Sequence, residues 1–221
     1  MYKRQHFIPQ KWGVAIIRYW GRSALFMMRI FCGLKTEFHG LDKLPQGGVF
    51  IASKHQSYFD IFALLAVVPN SYFVSKQQLL DIPLFGYAAK KYGVIGIDRS
   101  KGKDAMNLLR VDAVDRLKSG ANIIIYPEGT RRAPDAEPKY KNGLARLYKE
   151  SNFPILPIGL NSGHFWPPRK LFIKAGTARI MIGNIIEPGL ELDEVQQLLI
   201  QQIEKLSTDA NEPQTKEALA G

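Results

Sequence analysis

The sequence predicts an α/β fold: a sheet flanked by helices, preceded by an N-terminal amphipathic helical segment. Three observations lead there. Short apolar runs alternate with helix-period patterns between residues 49 and 182. Chemically versatile side chains follow directly on the ends of two of those runs, as the crevices of α/β sheets require. The stretch before Glu37 is basic and aromatic and contains no acid.

The chain has 221 residues, 46% of them hydrophobic, enough to bury one substantial core. The expected organisation is a helical segment over 1–36, an α/β domain over 37–208 and a polar tail over 209–221. No repeat or low-complexity tract interrupts it. The lone Cys32 excludes an intramolecular disulfide and a multi-cysteine metal site, and suits packing as a small hydrophobe.

A formal net charge of +10 points to an anionic partner. Nucleic acid is a poor match, because there is neither a basic recognition helix nor an aromatic RNA-binding motif. The excess is concentrated early, in Lys3, Arg4, Lys11, Arg18, Arg22, Arg29 and Lys35. From Lys11 the cations are spaced by seven, four and seven, a narrow stripe on a helix with the other faces apolar. Trp12, Tyr19 and Trp20 add the rings favoured at a membrane interface. Cations inside about 20 residues make spanning costly, so a helix or hairpin lying in one leaflet fits better, with a bend at Gly21 or Ser23 and Arg stems reaching phosphates. A secretory signal fits worse, since Arg18 and Arg22 split the apolar region. The plainer alternative is an amphipathic helix packed on the domain's own core.

In the domain, strands are expected at 49–53, 72–75, 94–97, 122–126, 155–160 and 178–182, and helices at 58–67, 83–92, 103–118, 143–151 and 193–206. The first strand runs into His55-Gln56-Ser57-Tyr58-Phe59-Asp60. Five helical steps separate two side chains by about 140°, so His55 and Asp60 can meet only across a turn. Ser57 with Asp60 three residues later resembles a capping box. With His55 in the turn and Asp60 in the first helical turn, the carboxylate can accept Nδ1–H and leave Nε2 to remove a proton from a hydroxyl. The pattern also accommodates an Asp60 that only caps the helix. The strand at 122–126 leads into Pro127-Glu128-Gly129-Thr130-Arg131. Pro127 and Gly129 enforce a sharp exit, Glu128 can accept hydrogen bonds from hydroxyls or fix cations, and Arg131 can grip a phosphate in bidentate fashion. An ordinary turn with an exposed Glu-Arg pair is the alternative.

Together these blocks resemble the glycerolipid acyltransferase family, in particular its 1-acylglycerol-3-phosphate acyltransferases. His55 and Asp60 match the His-x4-Asp motif, 93–99 the second block, Glu128, Gly129 and Arg131 the third, and 155–158 the fourth, in the family's order. Tyr126 stands where Phe is usual. The resemblance implies transfer of a fatty acyl group from acyl-CoA or an acyl carrier protein thioester to the sn-2 hydroxyl of lysophosphatidic acid, giving phosphatidic acid. It implies His55 as general base, Asp60 as its orienter, Arg99 and Arg131 on the acceptor's phosphate, and Glu128 and Gly129 shaping the acceptor site. No metal and no cofactor is expected. The expected location is a membrane-associated, monotopic, cytosol-facing enzyme on an anionic membrane surface. Another lysolipid acceptor, such as lyso-ornithine lipid, and a noncatalytic lipid-binding module are the competing readings. Lys76, Lys101, Lys103, Lys139, Lys141 and Arg146 are candidates for attracting phosphates or are simply solvated.

Overall fold

Apolar side chains at successive positions make both faces of the central strands apolar, so helices must cover both. In the structure, a computed structural model that describes residues 10–212 apart from 99 and 101, they do. The elements follow in the order α1 (Gln10–Cys32), β1 (Leu34–His39), β2 (Phe50–Ser53), α2 (Phe59–Val67), β3 (Ser71–Lys76), α3 (Phe85–Tyr92), β4 (Ile95–Ile97), α4 (Gly102–Lys118), β5 (Asn122–Ile125), α5 (Gly143–Ser151), β6 (Ile155–Leu160), β7 (Gly176–Ile182) and α6 (Leu192–Asp209). The sheet order is β1-β7-β6-β2-β5-β3-β4. Every pairing is parallel except β6 with β7. Lys3, Arg4 and the end of the polar tail lie outside the described residues.

The alternation divides the core into two layers. Phe50, Ala52, Ile123 and Ile125 face α4, α5 and α6, packing with Leu109, Leu117, Leu147 and Leu199. Ile51 and Ile124 face the other way, toward Leu64 of α2 and Leu25 of α1. Strand β1 has no counterpart among the expected elements. Its Leu34-Lys35-Thr36-Glu37-Phe38-His39 alternates as a strand pairing on one edge should, and it pairs with β7 throughout.

The bend considered for α1 does not form. The helix continues through Gly21, which lies so close to α2 that a Cβ there would meet Ala66 N and Phe62 O at 2.9 Å. Glycine serves as a contact point between two helices, the close approach that small residues permit. Ile17, Leu25 and Met28 extend that inner face, and the Nε of Arg22 donates to Ala66 O at 3.4 Å near the carbonyl end of α2. The outer face leaves Tyr19, Phe26, Ile30 and Phe31 exposed. Among the described residues no helix is long and apolar enough to cross a membrane.

Topology fixes where chemistry can sit. From β2 the chain passes through α2 to β3, beyond β5; from β5 it passes through α5 on the opposite face to β6, beyond β2. Connections that diverge from neighbouring parallel strands open a crevice at their carboxyl ends. Ala52 lies opposite Ile125, so the His55 and Glu128 segments leave the sheet side by side.

Candidate active site

The turn after β2 is built around one buried carboxylate. Asp60, in the first turn of α2, has no exposed surface. Its Oδ2 accepts Gln56 N at 2.7 Å and Ser57 N at 2.9 Å, and lies 3.0 Å from His55 Nδ1. Its Oδ1 accepts Ser162 Oγ at 2.5 Å. Both oxygens are thus engaged, which a buried carboxylate requires. Ser57 Oγ accepts Phe59 N at 3.1 Å. The exchange is that of a capping box, shifted because Ser57 caps residue 59 and the helix begins there. Asp60 therefore closes the turn and meets the imidazole with the same oxygen. His55 keeps 14% of its side chain exposed.

The segment after β5 clamps the same histidine. Glu128 Oε2 accepts His55 N at 2.8 Å, and Arg132 N donates to His55 O at 2.9 Å. The Tyr126 ring stacks on the imidazole, centroids 3.8 Å apart and planes 13° from parallel. Gly129, at φ 71°, turns the chain, its N–H donating to Tyr126 O at 2.9 Å. Burial pushes the Glu128 carboxyl up to about 7, against the opposing pull of the His55 N–H and the Lys54 charge; Glu204 adds to the rise and Arg132 opposes it. Burial, with the Asp60 charge nearby, also holds the Tyr126 phenol well above its usual range.

Of the residues singled out in the sequence, His55, Asp60, Glu128 and Gly129 converge on one turn. Arg131 stands to one side, its guanidinium 3.6 Å from the centroid of Tyr58, a stacked arrangement that leaves the edge of the guanidinium for other partners. Arg99 lies outside the described residues. The strand at 155–158 is β6, fully buried beside β2.

Three contributors escaped the sequence reading. Ser162 follows β6, the other neighbour of β2, and the rule that chemistry gathers at strand ends was the available signal. Gln56, almost fully buried, accepts Gly163 N through Oε1 at 3.0 Å and ties the turn to the same segment. Lys54, only 2% exposed, pairs with Glu204 of α6 at 2.5 Å, and Glu204 also accepts Tyr140 Oη at 2.6 Å. A buried cation beside His55 demanded a partner, although nothing local named one.

Two cavities flank the segment after β5, and His55 lines neither. One of about 700 Å³ runs between Val74, Ile97, Leu109, Ile125, Leu144 and Leu147, with Tyr126 and Gly129 at its wall and the charged side chains Lys103, Lys141, Arg146 and Glu150 also lining it. The other, about 460 Å³, is lined by Glu128, Gly129, Tyr140 and the cations Lys76, Arg132, Lys139 and Lys141. Among the described residues no group of three or more His, Cys, Asp or Glu is placed to hold a metal.

The fold and the site together define an α/β protein with a histidine held against a buried carboxylate at a strand end. The chain belongs to the Acyltransferase family, whose profile matches residues 35–161. It is 34% identical over 168 residues to a 1-acyl-sn-glycerol-3-phosphate acyltransferase of Pseudomonas aeruginosa, covering 76% of this chain and 65% of that one. Against the chloroplastic 1-acyl-sn-glycerol-3-phosphate acyltransferase BAT2 of Brassica napus the identity is 27%, over 81% and 49%. The chain thus spans between about half and two-thirds of the length of these curated relatives. The crystal structure of the 1-acyl-sn-glycerophosphate (LPA) acyltransferase PlsC from Thermotoga maritima superposes with a TM-score of 0.77 at 21% identity, over 94% of this chain and 83% of that one. That likeness shows the fold. The family is the one that the sequence blocks led us to expect.

Proposed function

We propose that this protein acylates the sn-2 hydroxyl of 1-acylglycerol-3-phosphate from an acyl-CoA or acyl carrier protein thioester, giving phosphatidic acid. The observation that carries the reading is the His55 Nδ1 to Asp60 Oδ2 contact of 3.0 Å at the mouth of the crevice. With Nδ1–H donated to the carboxylate, Nε2 is the basic nitrogen. It takes the hydroxyl proton as the alkoxide oxygen attacks the thioester carbonyl. The tetrahedral intermediate collapses with cleavage of the C–S bond, and the imidazolium returns the proton to the departing thiolate. No acyl-enzyme is needed.

The apolar cavity suits an acyl chain. The acceptor's phosphate falls to Arg131 and to the cations of the basic cavity, while Glu128 and Gly129 shape the acceptor site. Arg99 is proposed for the same phosphate from the sequence block alone. The exposed apolar face of α1 supports a monotopic attachment to an anionic membrane surface, and the basic amino-terminal segment with a thioester donor favours the cytosolic face.

A mass-spectrometric assay of the purified protein with mixed lysolipid acceptors and both donor classes tests the reading. Phosphatidic acid is the expected product. Preferential acylation of a phosphate-free acceptor such as lyso-ornithine lipid would overturn the acceptor assignment, and absence of turnover with every pair would leave a lipid-binding module.

A further inference from the structure

Among the described residues the two most exposed large apolar side chains are neighbours, Leu171 at 90% and Phe172 at 87%. They form the tip of the loop between β6 and β7. Leaving two such side chains in water forfeits the burial that ordinarily orders a loop, and adjacent exposed apolar residues mark an interaction surface.

The loop is pinned at its base. Lys174 N donates to Phe165 O at 2.8 Å, Lys170 N to Pro167 O at 3.3 Å, and Trp166 Nε1 to Lys170 O at 3.0 Å. Arg169 takes a left-handed conformation at φ 64°, a costly geometry for a non-glycine residue. Such bracing holds the tip away from the core. The loop's own charge has one sign: Arg169, Lys170 and Lys174 occur with no Asp or Glu from 151 through 186, whereas Arg179 beyond it, in β7, pairs with Glu37 at 2.9 Å.

The loop also joins two regions already described. Gly33, just after α1, accepts Gly176 N at 3.1 Å, and a Cβ on Gly33 would meet Ala175 at 3.0 Å. The far end of the loop therefore abuts the end of α1, where Ile30 and Phe31 are exposed. At its near end Trp166 lies 5.6 Å from Tyr58, the ring that carries Arg131.

We propose that this loop is a second lipid contact, with Leu171 and Phe172 entering an anionic bilayer surface and Arg169, Lys170 and Lys174 meeting its headgroup phosphates. The proposal rests on the membrane-surface reading above. It extends the attachment from α1 across the loop to the mouth of the site. The occupant is a lipid surface because the tip is apolar, its flanks are uniformly cationic, and it continues the exposed apolar end of α1.

The test uses the full chain and sucrose-loaded phosphatidylcholine vesicles with and without phosphatidylglycerol. The double variant Leu171→Ser, Phe172→Ser is expected to lower partitioning onto the phosphatidylglycerol vesicles by about tenfold or more. Turnover should fall on vesicle-embedded acceptor and hold on a monomeric short-chain acceptor. Because both side chains are exposed, folding is not at stake; a polarity-sensitive fluorophore on Leu171→Cys, in a Cys32→Ser background, should shift to the blue on binding. Wild-type protein that sediments while the double variant sediments equally, with an unshifted fluorophore, overturns the loop proposal alone. Wild-type protein that stays in the supernatant overturns the membrane reading and the loop with it. A change in self-association without a change in partitioning would assign the tip to contacts between copies and overturn the lipid proposal.

Discussion

The turn after β2 and the segment after β5 leave adjacent parallel strands at the same end of the sheet, yet they are built on opposite terms. Around Asp60 four donors meet one fully buried carboxylate. After Gly129 the chain opens outward: Thr130 is exposed, and Arg131 rests flat on Tyr58. The general base proposed at His55 would need the fixed angle that this closed turn imposes. The phosphate contact proposed for Arg131 would need the open edge that this arrangement leaves. Glu128 joins the two, holding the backbone of His55 from within the second segment.

Variants can break this contrast, and the largest effect belongs to the closed turn. His55→Ala should cost about 10²–10⁴-fold in kcat with the fold kept, measured as thioester-dependent turnover beside circular dichroism. Glu204→Ala strands the Lys54 charge behind the turn; a loss on the order of 3–5 kcal/mol of stability is expected by denaturant unfolding. Restoring a neutral pair with Lys54→Met in the same chain should recover much of it. The bridge between the regions should show in pH. Because the folded carboxyl of Glu128 is raised, its contribution to stability is present below about 4.5 and is lost as pH rises through about 7. Glu128→Gln should remove that slope, worth about 3 kcal/mol at most, as read from melts across this window. In the open segment, Arg131→Ala should raise the acceptor's KM about tenfold and spare kcat, since a ground-state phosphate contact is uniform binding. Smallest of all is Tyr126→Phe. The Tyr126 hydroxyl is buried without a hydrogen-bond partner among the described residues, so its removal should leave stability unchanged or raise it by up to about 1 kcal/mol.

The same contrast explains what could be read from the sequence. The His55 to Asp60 contact spans five residues and needs one turn, so spacing and capping chemistry point to it directly. The central strands were legible because Ile-rich runs bounded by turn residues have few other uses. Strand β1 was not, because the helical segment was expected to run on to 36, past the left-handed Gly33 that ends α1, and the pairing with β7 becomes visible only in three dimensions. Ser162 reaches Asp60 across 102 residues, and Glu204 reaches Lys54 across 150. No local periodicity encodes contacts of that separation; they follow from sheet order. The Arg22 contact with the end of α2 belongs to the same class, since charge spacing alone assigns that face of α1 to lipid and not to a neighbouring helix.

Gly21 has a geometrical consequence. By letting α1 rest on the backbone of Phe62 and Ala66, it brings the two helices closer than any side chain at that position would allow. Helix α2 carries Asp60 in its first turn, two residues before Phe62. The outer surface of α1 is thus one helix pair away from the carboxylate that holds the His55 ring. A bulkier residue at position 21 would push α1 outward while leaving His55 and Asp60 in place, so under the proposed attachment the glycine would set the distance between the lipid surface and the site.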